Sequence, residues 1–227
     1  MTVSEGLERV RAAMAAAAGR SGRPPEDVTL VAVTKSWPAD VVVEAIQAGA
    51  TDLGENRAQE FREKVAALGG RARWHFIGHL QTNKVRYVLG ACDLIHSVDR
   101  LGLAESIGRR AAGAGAEQDV LIEVNVAGDA DKHGVEPARA IALALEVHAV
   151  DGVCVRGLMT MPPYPEDPEQ SRPHYKELAA LSGRLVDELP GATALSMGMS
   201  RDFEVAIEEG ATIVRVGTAI FGARTPR

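Results

Sequence analysis

The apolar run TLVAVTK, residues 29–35, stops on Lys35 just before the chain turns into a helical pattern. A lysine amine attacks a carbonyl only in its neutral form, which desolvation favours. Far along the chain, SMGMS and VGTAIFG place Gly198, Ser200, Gly217 and Thr218 at the ends of two more apolar runs. Glycine lets backbone approach a ligand closely. Ser200 stands where the helical pattern RDFEVAIEEG begins, and a helix start offers free N–H groups to an anion. Either loop alone reads as a turn with a capping serine. Together, in the places where barrels hold phosphate, they favour an anion site. Asp202 and Glu204 count against it unless they face away. In TIVRVGT, Arg215 alternates with Val214 and Val216 and so faces the other side from both. Such a charge needs a partner, which can be a structural ion pair or a polar ligand atom. Arg156 in VCVRGLM has the same pattern and is assigned to structure.

An amine, an anion cradle and an inward arginine suit pyridoxal 5'-phosphate. That cofactor needs an amine for its aldehyde, donors for its phosphate and a partner for its ring nitrogen. An arginine at that nitrogen would disfavour the pyridinium and weaken the electron sink. On these residues alone a Schiff-base aldolase, in which Lys35 traps a carbonyl substrate, stays open. Only five of the 25 basic residues are lysine, which makes Lys35 slightly more informative.

The elements that must position these residues alternate along the chain. Residues 3–18 predict an opening helix that stops at Gly19, and residues 19–27 a loop. Apolar runs then recur as TLVAVTK, TDLGEN, RWHFIG, LIHSVD, DVLIEVNV, VCVRGLM, ALSMG and TIVRVGT, with helical patterns between. Strands apolar almost throughout are those buried on both faces of a parallel sheet. Eight of them predict a single (β/α)₈ barrel over residues 1–227, with 1–28 as an N-terminal helix and loop. A doubly wound open sheet is the alternative. In a barrel the strand C-termini carry the chemistry, so Lys35, Glu55, Asn56, His75, His79, Asn125, Met159 and the two glycine loops form the short list. The proline-rich stretch 161–173 predicts a long loop after strand six.

With 46% hydrophobic residues the chain can bury a full core. Its net charge of -6 argues against nucleic acid as a partner, since phosphate neutralisation needs a basic face. No apolar run reaches membrane-spanning length, and the start MTVSEGLERV lacks the apolar core of a signal peptide. Cys92 and Cys154 read as unpaired thiols in a reducing cytoplasm, with no metal-ligand spacing. A closed barrel has no free sheet edge, so a monomer is expected.

The motifs LVAVTK, GEN, WHFIGHLQTNK, RGLM, LSMGMSRDFEVAI and VRVGTAIFG, spread from about Thr29 to Arg224, resemble the pyridoxal phosphate homeostasis protein family. These are small cytoplasmic proteins similar to the N-terminal barrel of alanine racemase. The resemblance implies that Lys35 holds the cofactor as a Schiff base. It implies that Ser200, Gly217 and Thr218 hold the phosphate, with backbone contacts from Gly198 and Met199. Arg215 would meet the pyridine nitrogen, and Asn56 and Met159 would lie near the ring. For His75 and His79 a rim-shaping role is expected rather than catalysis. With GARTPR alone after the eighth strand, no second racemase domain is expected. The resemblance implies a cofactor-binding regulator of pyridoxal phosphate (vitamin B6) and of amino-acid and keto-acid balance, without an established turnover. Apoenzymes that need the cofactor would be its recipients. Lys132, on the loop after the fifth strand, reads as a solvated loop residue, with a second amine for cofactor transfer as the alternative. The alternative is a minimal amino-acid racemase or lyase.

Overall fold

The eight apolar runs fold as eight parallel strands that close into one barrel in sequence order, so the open sheet is excluded. The structure is a computed structural model that describes residues 2–129 and 131–223. The strands are β1 (Thr29–Val33), β2 (Asp52–Glu55), β3 (Arg73–Phe76), β4 (Leu94–Val98), β5 (Gln118–Glu123), β6 (Val153–Met159), β7 (Ala194–Ser196) and β8 (Ile213–Val216). Closure comes from β1 pairing with both β2 and β8, in the register Ala32 opposite Leu53 and Val216.

Helices cover the outside. They are α1 (Val3–Arg20), α2 (Ala39–Gln47), α3 (Ala58–Leu68), α4 (Leu101–Gly113), α5 (Ala140–His148), α6 (Arg172–Glu188), α7 (Phe203–Glu208) and α8 (Thr218–Phe221). No helix among the described residues is long and apolar enough to cross a membrane. A capping box starts α1, with Thr2 and Glu5 exchanging side-chain to backbone bonds. The expected stop at Gly19 is passed: α1 runs to Arg20, and Gly22 (φ +69°) makes the left-handed turn instead.

Two apolar clusters separate the two faces of the sheet. The large outer one holds Ala32, Leu53, Trp74, Ile95, Val214 and Val216 under the helices. The small inner one holds Val31, Leu94, Leu121, Met159 and Ile213 inside the barrel. Ile213 and Arg215 share a face by alternation, so Arg215 points inward, as the sequence predicts. The interior is unusually polar for a barrel. Asp52, His75, His96, Ser196, Glu123 and Arg215 are all buried.

Candidate functional site

Strand β1 ends at Val33, two residues earlier than the sequence suggests. Thr34 is buried and Lys35 stands in the following turn, partly exposed at the mouth. Its neighbours are tied down on both sides. The Thr34 hydroxyl donates to Glu55 Oε1 (2.5 Å), and the Thr34 carbonyl accepts from Lys64 Nζ (2.7 Å). Lys64 also bonds the same Glu55 oxygen, which makes a buried ion pair beneath the turn. Ser36 N donates to Glu60 Oε2 at 2.8 Å. Ser36 holds φ +66°, the single left-handed non-glycine among the described residues. Backbone strain of this kind persists where surrounding contacts over-determine it, commonly at ligand sites.

The glycine loops meet β1 on its other side. Ser200 Oγ accepts from the backbone N–H groups of Gly217 (3.1 Å) and Ala219 (3.3 Å). A Cβ on Gly217 would lie 3.4 Å from Val33, so this donor pair sits against the strand that leads to Lys35. Asp202 faces away from the loop mouth. It is buried and accepts from Ser171 Oγ, Tyr175 Oη and the Met199 amide, at 2.7 to 2.8 Å. Three donors satisfy its carboxylate and lock the turn that carries Ser200. The Met199 amide is thereby engaged within the turn. Glu204 pairs with Arg20 on the surface. Neither acid opposes an anion at Ser200. Gly198 has φ +93°, and a Cβ there would come within 2.5 Å of Ala206 Cβ. Thr218 is exposed as the first residue of α8.

Arg215 is fully enclosed. One terminal nitrogen donates to Ser196 Oγ and the other to the Thr160 carbonyl (2.8 Å). Burial depresses its pKa, while Tyr175, Glu123 and Asp202 act the other way. Met159 packs in the inner apolar cluster. Asn56 follows β2, and its Oδ1 is buried without a hydrogen-bond partner. His75 departs from expectation. It lies inside the barrel, not on the rim, bonded to Asp52 and His96. Arg156 pairs with Asp119 on the outside (2.8 Å), the structural role assigned to it. Lys132 is exposed on the loop after β5.

Sequence reasoning missed Glu123, the last residue of β5. It is buried, its Oε2 has no partner, and burial pushes its pKa up to about 7, with Asp99 adding to the shift and Arg215 opposing it. An acid inside the apolar run DVLIEVNV was the signal. At the rim, His79, Asp99 and His133 bring ligand-type atoms within 4.8 Å of one another. The two imidazoles stack with planes 13° apart, so their in-plane lone pairs run side by side and do not meet at one point. Arg100 already holds Asp99.

These residues fit a phosphorylated aldehyde. Backbone and hydroxyl donors meet at the glycine loops, Lys35 follows the strand those loops pack against, and Arg215 lies inside the barrel with two of its N–H groups engaged. The model of the alanine racemase N-terminal domain matches residues 7–225. The pyridoxal phosphate homeostasis protein of Aquifex aeolicus is 48% identical over 99% of both chains. PipY of Synechococcus elongatus, solved with PLP bound, is 34% identical with a TM-score of 0.82, covering 97% of this chain and 100% of that one. Alanine racemase of Corynebacterium glutamicum shares 14% identity over 97% of this chain and 62% of its own, TM-score 0.68, a likeness of fold alone. On the family match and on a relative nearly half identical from end to end, the chain belongs to the alanine racemase N-terminal domain family, among the pyridoxal phosphate homeostasis proteins.

Proposed function

We propose that this protein binds pyridoxal 5'-phosphate on Lys35 and keeps it available in the cytoplasm, as a cofactor-binding regulator and not as an enzyme with its own turnover. The observation that carries this is the Ser200–Gly217–Ala219 donor set packed against Val33, at the end of the strand that leads into Lys35. When bound, the cofactor supplies an aldehyde that condenses with the Lys35 amine, releasing water. Ser200, Gly217 and Thr218 would hold the phosphate, with Gly198 and Met199 shaping the loop. Arg215 would face the ring nitrogen with an N–H. Asn56 and Met159 would flank the ring, the orphaned Asn56 Oδ1 giving a polar edge. PipY, a relative solved with PLP bound, supports pyridoxal phosphate as the ligand.

One experiment tests it. Borohydride reduction of the protein mixed with pyridoxal phosphate, followed by peptide mass mapping, is expected to place a single adduct on Lys35. Lys35→Ala should stay colourless. An adduct elsewhere would overturn the assignment. Solvent-deuterium exchange at the α-carbon of amino acids, at enzyme-like rates, would replace the regulator with a racemase or lyase.

A further inference from the structure

Beneath the mouth, buried polar side chains form an unbroken line through the barrel. Arg215 donates to Ser196 Oγ. Ser196 Oγ lies 2.9 Å from His96 Nδ1, and His96 Nε2 lies 2.9 Å from His75 Nδ1. His75 Nε2 lies 3.0 Å from Asp52 Oδ1. Asp52 is held in turn by a bidentate pair with Arg73 (2.8 and 2.9 Å) and by the Thr51 hydroxyl (2.7 Å). Arg215 is near the C-terminal end of β8, while Asp52 and Arg73 open β2 and β3. The line therefore joins the cofactor end of the barrel to the opposite end.

Its two ends dictate its direction. A guanidinium can only donate, and an ionised carboxylate can only accept. Burial opposes the ionised form of Asp52, but His75, Arg73 and Thr51 more than offset it and hold the pKa well below the usual range. Asp52 thus requires a proton on His75 Nε2. A neutral His75 then offers a bare Nδ1, which requires a proton on His96 Nε2. That leaves His96 Nδ1 bare, so it accepts from the Ser196 hydroxyl, and the Ser196 lone pair accepts from Arg215. Every junction is satisfied. The reverse direction would set the lone pair of a neutral His75 against that of Asp52, or demand a second proton on His75. It would also send the Ser196 proton away from His96. Burial strongly disfavours charge on His96, and the Arg215 guanidinium acts the same way, so that ring stays neutral.

We infer that Asp52, His75, His96 and Ser196 are a one-way hydrogen-bond relay that positions Arg215 toward the cofactor ring. The inference rests, for its cofactor end, on the reading of Arg215 given above. Ser196 and the Thr160 carbonyl each take one N–H, which leaves three of the five guanidinium N–H groups for other acceptors. The relay residues touch no ligand. They set the angle and donor pattern of the residue that does.

The first test needs no cofactor. Long-range ¹H–¹⁵N correlation of the cofactor-free protein at pH 7.5 is expected to show both His75 and His96 as the neutral Nε2–H tautomer. An Nδ1–H tautomer at His96 would overturn the relay. In Asp52→Asn the end group can donate as well as accept, so the His96 Nδ1–H form should become populated. Unchanged tautomers there would also count against it. The second test uses ring-labelled [¹⁵N]pyridoxal phosphate bound to the protein. Ser196→Ala and Asp52→Asn should move the ring-nitrogen resonance in the same direction as Arg215→Lys, and Ser196→Ala should weaken binding about tenfold. Ile213→Val, an interior change off the line, should leave the resonance in place. If Arg215→Lys leaves the resonance unmoved while the tautomers are as expected, the cofactor end of the inference is overturned. Should Ser196→Ala not fold, the tautomers of the unaltered protein still decide the relay.

Discussion

The Ser200 hydroxyl accepts from the amide of Gly217 at 3.1 Å, across 17 residues of chain. On the proposed reading, a phosphate oxygen would receive the same N–H, and the hydroxyl would turn from accepting amides to donating to the anion. Ser200→Ala removes one hydrogen bond to a charged group, worth about 1.5–3 kcal/mol. The expected result is pyridoxal phosphate affinity reduced roughly tenfold to a hundredfold, by that same range. Pyridoxal, which lacks the phosphate, should bind both proteins alike. Equal weakening of both ligands in a titration would move the phosphate away from Ser200.

Gly198 is the hinge of the same loop. Its φ of +93° disfavours any side chain, and a Cβ would press into Ala206 at 2.5 Å and Phe203 Cα at 2.9 Å. Strain and overpacking together predict a loss of about 3 kcal/mol for Gly198→Ala. Urea unfolding followed by circular dichroism measures it. A loss below about 1 kcal/mol would mean that the loop relaxes, and that its geometry is not what Gly198 maintains.

The buried pair under Lys35 makes a third prediction. Lys64→Met leaves Glu55 enclosed without its counter-charge, which costs about 3–5 kcal/mol. Adding Glu55→Leu removes the stranded charge and should recover most of the loss, since replacing both partners of a buried pair is often near neutral. If the double variant is as unstable as the single one, the Thr34 contacts dominate and the ion pair does not. Borohydride trapping on Lys35 in the double variant then reports whether the pair also aligns the amine.

What could be read in advance follows from what one strand shows by itself. Lys35, Ser200 and Arg215 were legible because strand ends and alternation are local properties. Arg215 between two valines must face away from them whatever its neighbours are. The relay was not legible, because it depends on which strands adjoin and in what register. His75 and His96 belong to different strands, and in a parallel barrel both strand faces are apolar, so alternation alone does not say which one is inside. His75 was accordingly expected on the rim. Lys64 and Glu60 lie on the helix after β2, and their reach back to the β1 turn appears only once the barrel closes. The extension of α1 past Gly19 reflects a turn made at Gly22 instead.

Glu123 predicts how stability varies with pH. Its carboxyl is buried beside Arg215 and Asp99 and has a pKa of about 7 in the folded state. An unfolded glutamate titrates near about 4.3. The folded protein therefore holds the extra proton between these values, and stability falls as pH rises through that window. Above about pH 7 both states are ionised and this contribution is fully lost. Glu123→Gln keeps the shape and removes the titration. Measured by chemical denaturation, the variant should match the parent near pH 4 and exceed it by about 3–4 kcal/mol at pH 8. The direction is opposite to that for Asp52, whose depressed pKa gives stability above the usual aspartate range that is lost on acidification. A parent more stable than Glu123→Gln at pH 8 would show that the ionised carboxylate serves as the counter-charge of Arg215. Glu123 would then be an anionic partner of Arg215 and not a protonated acid beside it.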